Sequence, residues 1–360
     1  MRILFGVPVK VHKEIAEAEV HAFKALGNEV EVSHYGNTDQ VKSFLGRFIL
    51  ILKNAINLKR KLRKQKSNIV YLNTAFDYRT LVRDSISIFI LRLFDSEIKI
   101  VLKTHGTTLN VIFANNILKK YLLRNTDLLL LLSQEEVHNF KEISFNKVGV
   151  TSNPIDFTEY RVDNSFRRQE KINDQTFVLL FVGRLIKEKG IVELIEACKI
   201  IKQNKIRFKL FCLGNGPLLG EIKQLIKDLG LENEILLVGQ IPEEETKYYY
   251  SNCDILILPS YREGFPMAVF QAVAAGKPVI TTKVNACADH LREYENCLWV
   301  KKNNPVDLAE KIISLLKDQQ LRCTMCQNNK AISQKFTAEK IVQNLDMLFK
   351  ELLAVSHDIS

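Results

Sequence analysis

The 360-residue sequence has no apolar run long enough to cross a bilayer. Phe48 to Leu52 is cut by Lys53 and Ser85 to Phe94 contains Arg92, whereas a spanning helix needs about 20 predominantly apolar residues. The opening, MRILFGVPVK, is too short for the apolar core of a signal peptide and reads as a first buried strand. A cytoplasmic location is expected. Cysteine is missing before Ile195, and the seven that follow are odd in number, which argues against a disulfide framework and for reduced, mostly buried thiols. Cys323 and Cys326 form a lone CxxC without a second pair or nearby histidine, so no metal site and no cofactor are expected. Low-complexity tracts, short repeats and a DxD motif are also lacking.

Acids are missing from one long stretch. Between Val41 and Phe76 there are nine Lys or Arg and no Asp or Glu. Through Glu170 the chain has 26 basic against 18 acidic residues, and afterwards 25 against 23, so the net charge of +10 is concentrated in the first half. Leu45, Phe48, Ile49, Leu52, Ile56 and Leu62 recur at helical spacing among those cations. A core-facing helix with a solvated outer face fits this pattern. So does contact with an anionic membrane surface through the basic helix around Lys53 to Lys66. No nucleic-acid motif follows, and nucleic acid is not expected as a partner.

What is present is alternation. Apolar runs such as RILFGV, NIVYLN, KIVLKTHG and DLLLLLS trade places with helical patterns, then TFVLLFVG, FKLFCLG, EILLVGQ, DILILPS and PVITT do so again. This predicts an α/β chain of two Rossmann-like, doubly wound parallel sheets. The domains are expected at 1–165 and 166–336, with polar residues Thr151 to Gln175 as linker and a helix within 337–360 crossing back to the first domain.

Ligands of open parallel sheets bind beyond the carboxyl ends of strands. After TFVLLFVG, which closes on Gly183, Arg184 and Lys189 lie on a loop opening a helix, where free amides and two cations suit a diphosphate. After FKLFCLG come Gly214, Gly216 and Gly220, a tight turn rather than a dinucleotide fingerprint, because the next strand ends in Gln240 and not in an acid. The turn GQIP, with Ile241, offers main-chain groups to a flat base. After DILILPS, Pro266 suits a first helical turn, Gly264 permits close approach, and amides from Gly264 through Phe265 to Met267 point at the ligand. Glu263 just before them reads as a sugar-hydroxyl acceptor or as an ordinary loop acid. KIVLKTHG ends in His105 and Gly106, a candidate for catalysis that also fits a structural histidine.

In order, NPID, VGRLIKEKG, LGNGP, VGQIP and PSYREGFPMAVFQAVAAGKPVI resemble the retaining GT-B glycosyltransferases of the family-4 type, glycosyl transferases group 1, which include bacterial lipopolysaccharide and capsule enzymes. The likeness is strong from Asn153 to about Asp318. Over the first half it rests on the opening strand, the HG pair and DLLLLLS, and the glycine pair common after the first strand is replaced by PVKVHKEIAEAEV. The resemblance implies two domains facing a central cleft and transfer of a hexose-type sugar from a nucleotide-diphosphate donor to a lipid-linked or oligosaccharide acceptor, without metal, at the inner face of the plasma membrane. It implies that Arg184 and Lys189 hold the diphosphate, that Glu263 and the following amides hold the sugar, and that His105 sits beside the reacting carbon. Position 271 would bind the ribose. Gln271 stands where the family's second glutamate is usual, so a contact of ~1.5–3 kcal/mol would fall to ~0.5–1.5. A 2-epimerase-like enzyme and a non-catalytic nucleotide-sugar-binding subunit are the alternative functions.

Overall fold

Strands covered on both faces lose their in–out alternation and read as continuous apolar runs; DLLLLLS and NIVYLN are of this kind. A computed structural model describes residues 1–7, 13–35, 43–93, 97–105, 117–140, 147–157, 160, 163, 165–170 and 172–354. The chain divides into two compact units, Met1–Pro154 with Phe336–Ser360, and Ile155–Lys335. The first contains β1 (Arg2–Val7), α1 (Lys13–Ala25), β2 (Glu29–His34), α2 (Phe44–Gln65), β3 (Ile69–Thr74), α3 (Tyr78–Arg92), β4 (Lys99–Thr104), α4 (Ile117–Arg124), β5 (Leu128–Leu131), α5 (Gln134–Phe140) and β6 (Val148–Val150). The second contains α6 (Phe166–Gln169), β7 (Phe177–Val182), α7 (Ile191–Gln203), β8 (Phe208–Leu213), α8 (Leu219–Asp228), β9 (Ile235–Gly239), α9 (Glu243–Asn252), β10 (Ile255–Leu258), α10 (Met267–Ala274), β11 (Val279–Thr281), α11 (Asn285–His290), β12 (Cys297–Trp299), α12 (Pro305–Lys317) and α13 (Gln319–Ser333). Helix α14 (Ala338–Ala354) then returns to the first unit.

Both sheets have six strands, paired in parallel, in the orders β2-β1-β3-β4-β5-β6 and β12-β11-β10-β7-β8-β9. The chain leaves β1 toward one edge and returns on its other side as β3, and it does the same around β7 and β10. Each reversal opens a crevice at the strands' carboxyl ends, one between β1 and β3 and one between β7 and β10.

The first boundary falls after Pro154, not after position 165. Part of the polar stretch taken for a linker is anchored in the second unit. Phe166 is buried with its ring 5.8 Å from Phe211 and 5.0 Å from Tyr248, and the Asp163 amide donates to Asn252 Oδ1 at 3.0 Å. At the other end Phe336 already belongs to the first unit. There α14 covers α1: Phe349 stacks on Phe23 at 5.5 Å, and Asn28 Nδ2 donates to Asp346 at 2.8 Å.

Helix α2 starts where Ser43 Oγ accepts from the Gly46 amide at 3.1 Å and stops at Lys66 in the left-handed region, φ 52°. Its core-facing stripe is Ile51, Ala55, Leu58 and Leu62, all under 9% exposed. Four of the other apolar residues face outward: Leu45 is 67% exposed, Phe48 41%, Ile49 45% and Ile56 44%. The helix thus faces the core along one stripe and leaves apolar as well as basic residues exposed on its outer face.

Five of the cysteines are buried and all seven are free thiols; burial pushes the Cys253 thiol up to about 12. Among the described residues no helix is long and apolar enough to cross a membrane, and no group of three His, Cys, Asp or Glu side chains could hold a metal ion.

Candidate functional site

Strand β7 delivers its chain into the crevice through Gly183 and Arg184, followed by a short 3-10 turn, Lys187–Lys189, that leads into α7. Lys189 pairs with Glu263, which follows β10 across the reversal. Their side chains are only 20% and 12% exposed, so neither charge is well hydrated and each depends on the other. Glu263 is thus a part-buried, paired carboxylate and not an ordinary exposed loop acid. Its main-chain oxygen accepts from Asn285 Nδ2, and the Gly264 oxygen accepts from the Ala286 amide at 3.2 Å, so α11 holds the loop from behind. Arg184 is exposed, and among the described residues its side chain makes no hydrogen bond or ion pair.

Three glycines let the loops close this tightly. A Cβ on Gly190, at φ +69°, would lie 2.3 Å from the Pro259 oxygen; on Gly214, at φ +128°, it would lie 2.1 Å from the Gly183 oxygen; on Gly216 it would lie 2.4 Å from the Leu185 oxygen. A Cβ on Gly220 would meet nothing within 4 Å among the described residues, so packing does not require glycine there as it does at Gly214 and Gly216. Tyr261 adds a brace: it donates to Glu193, and burial raises its hydroxyl above the ordinary phenol range, with the Glu193 hydrogen bond acting the same way, so it stays protonated.

The start of α10 is apolar on its inner side, where the Phe265 and Phe270 rings stack with centroids 4.0 Å apart. Pro266 is buried and caps the helix, but it has no N–H, so the expected run of amides from Gly264 to Met267 is interrupted there. Gln271 differs most from expectation. Its Nε2 donates to Glu243 Oε1 at 3.0 Å, so the side chain is engaged by the first residue of α9, two positions after Ile241. The carboxylate absent at position 271 stands beside it at 243. Sequence reasoning passed over Glu243; the signal was three acids directly after Pro242.

His105 belongs to the first unit and follows β4. Its amide donates to the Thr74 oxygen at 3.0 Å, and its Nε2 lies 2.6 Å from Asn73 Oδ1. Gly106 and positions 8–12 of the loop after β1 lie outside the described residues.

Residues 162–332 match the family described as glycosyl transferases group 1. The second unit is a group 1 glycosyltransferase domain. This domain carries every expected site residue except His105. Over 173 residues the chain is 37% identical to an uncharacterized glycosyltransferase of Methanocaldococcus jannaschii, covering 48% of each chain. Over 219 residues it is 31% identical to the capsular polysaccharide biosynthesis glycosyltransferase CapM of Staphylococcus aureus, covering 59% of this chain and 57% of CapM. The chain thus spans about half the length of the curated relatives it matches. The crystal structure of Anabaena HepE in complex with UDP and glucose matches 98% of this chain and 100% of its own with a TM-score of 0.77 at 21% identity. The group 1 domain and the unit before it together have the GT-B fold expected from the sequence.

Proposed function

We propose that the chain is a retaining, metal-independent glycosyltransferase that moves a hexose-type sugar from a nucleoside diphosphate to a hydroxyl of a lipid-linked or saccharide acceptor in surface-polysaccharide assembly. One observation carries this reading: the Lys189–Glu263 pair, with exposed Arg184 beside it, at the chain reversal between β7 and β10. A departing diphosphate needs cations, and a sugar needs a hydroxyl acceptor. The pair keeps one of each together at low net charge, which lowers the desolvation cost of holding both ready.

On donor binding Lys189 and Arg184 turn to phosphate oxygens, and Glu263 accepts from sugar hydroxyls. The anomeric carbon–oxygen bond breaks toward the diphosphate. The acceptor hydroxyl adds from the same face, giving its proton to the leaving phosphate oxygen. Water would otherwise take the sugar, so closure over the donor serves exclusion as well as orientation. His105 is assigned to the donor's sugar. The UDP and glucose of the HepE complex support this donor class.

A thermal-shift panel of nucleotide sugars tests the reading. A bound donor at a hundred times its Kd should stabilise the protein by ~2.7 kcal/mol, and the same donor should release free sugar slowly without acceptor, which a non-catalytic subunit would not do. If no nucleotide sugar raises the melting temperature and none is hydrolysed, the function is wrong.

The acceptor side rests on α2. Outward Leu45, Phe48 and Ile49 beside Lys and Arg suit an anionic bilayer surface. Replacing the three by serine should abolish flotation with anionic liposomes while leaving donor binding intact; undiminished flotation would remove the membrane assignment.

A further inference from the structure

Strand β10 ends at Leu258 and α10 begins at Met267, and the segment between them carries Glu263 without regular structure of its own. The main chain of such a segment must find partners elsewhere. The last strand carbonyl and three beyond it find them on the chain from Thr281 to Ala286. Thr281 Oγ1 donates to the Leu258 oxygen at 2.8 Å, and Thr282 Oγ1 donates to the Ser260 oxygen. Asn285 Nδ2 donates to the Glu263 oxygen, and the Ala286 amide to the Gly264 oxygen at 3.2 Å. The separation is 23 residues at Leu258 and 22 at Ser260 and Glu263. The parallel pairing that sets Leu258 opposite Thr281 is thus continued by side chains beyond the point where the strands stop.

Asn285 stands out among these anchors. Its φ is +39°, a left-handed backbone that few residues other than glycine adopt and that asparagine tolerates better than most. Such a conformation persists only where its surroundings hold it. A carbonyl can only accept, so the amide nitrogen of Asn285 must face Glu263. The peptide that joins Glu263 to Gly264 is planar, with its C=O and N–H on opposite sides. Its oxygen is fixed toward α11, so the Gly264 N–H is directed away from that helix. Gly264 is buried, and among the described residues this N–H makes no hydrogen bond. A buried main-chain donor without a partner is rare in a folded protein. This one directly follows the carboxylate that is paired with Lys189.

We propose that Asn285 is a positioning residue: by holding the Glu263 oxygen it sets the Glu263–Gly264 peptide so that the Glu263 carboxylate accepts from a hydroxyl of the donor's sugar while the Gly264 N–H donates to a sugar oxygen. The proposal rests on the glycosyltransferase reading for its ligand and on geometry alone for the peptide's orientation. With the peptide turned over, the carbonyl oxygen would take the place of the N–H. The sugar would then meet two acceptors and no donor.

A crystal structure of the full-length parent decides the orientation, and a Glu263 oxygen turned away from Asn285 overturns the proposal. Asn285→Asp and Asn285→Gly both accept a left-handed backbone, and neither an ionised carboxylate nor glycine donates from a side chain. Aspartate also sets a charged oxygen against the carbonyl, whereas glycine leaves room for water. The substrate is whichever of a panel of UDP, GDP and ADP sugars most raises the parent's melting temperature. Its kcat should fall by roughly 10- to 100-fold in Asn285→Asp and by about 5- to 10-fold in Asn285→Gly. Affinity for the matching nucleoside diphosphate without sugar should stay within about threefold of the parent in both, because Arg184 and Lys189 are untouched. A merely structural disturbance would weaken diphosphate binding along with turnover, and that result overturns the positioning role. So does a kcat for Asn285→Gly equal to that of the parent, which decides the matter alone if Asn285→Asp does not fold. A parent that neither binds nor turns over any nucleotide sugar would overturn the glycosyltransferase reading, while the crystal structure still decides the peptide's orientation.

Discussion

Lys189→Ala is expected to lower kcat/KM for the nucleotide-sugar donor by roughly 10- to 100-fold, because it removes a cation from the position where negative charge develops as the diphosphate leaves. Glu263→Ala should lower it by a similar factor for a different reason: the sugar loses its acceptor, and Lys189 is left without the partner that holds it in place. The pairing makes a sharper test available. In the double variant Lys189→Met/Glu263→Leu both part-buried charges are gone, so melting temperature should recover to near the parent value while turnover stays at or below that of the worse single variant. Stability and activity would then separate. Turnover within about threefold of the parent for Lys189→Ala would remove the phosphate role, since one charge-assisted contact should cost ~1.4 kcal/mol or more.

The largest effect on stability should come from Lys103→Met in the first unit. Lys103 Nζ reaches Glu19 Oε1 at 2.5 Å, and both side chains are fully buried. Tyr71 OH donates to the other Glu19 oxygen at 3.2 Å, and Lys103 Nζ lies 3.4 Å from the Ser152 oxygen. The pair joins α1, β3 and β4 to the segment after β6. Methionine fills much of the same space but strands the carboxylate without its counter-charge, which should cost ~3–5 kcal/mol. Replacing Glu19 by leucine as well should return most of that, since two apolar groups need no partner. Urea denaturation of the full chain, followed by probes in each unit, measures both. A single-variant loss below about 1 kcal/mol, or a double variant no better than the single, would show that the interior accommodates the lone charge.

The fold was legible because burial on both faces writes itself into composition. LLLL at Leu128–Leu131 and ILIL at Ile255–Leu258 cannot be amphipathic surface elements of that length, and their alternation with helical spacing leaves little beyond two parallel sheets. Strand ends were legible for the same reason, so Gly183, Arg184, Lys189 and Glu263 could be placed just beyond β7 and β10. Their mutual contact was not, because Lys189 and Glu263 are 74 residues apart and only the strand order β10-β7 makes them neighbours. At Gln271, one-dimensional reading showed a missing acid but not the hydrogen bond to Glu243, which lies 28 residues away on another helix. Asn73 carried no signal beyond being a polar residue at the end of an apolar strand. On α2, periodicity identified the helix but not which stripe faces the core, since Leu45, Phe48 and Ile49 satisfy a helical repeat as well as Ile51, Ala55 and Leu58 do.

The return of α14 to the first unit has a consequence for synthesis. Helix α14 supplies Phe349 to the aromatic group of Phe23 and Tyr71, so the sheet of the first unit lacks one wall of its interior until residues beyond the whole second unit have been made. The second unit is drawn from one uninterrupted segment and has all its parts as soon as that segment leaves the ribosome. The middle of this polypeptide can therefore finish folding before its beginning does.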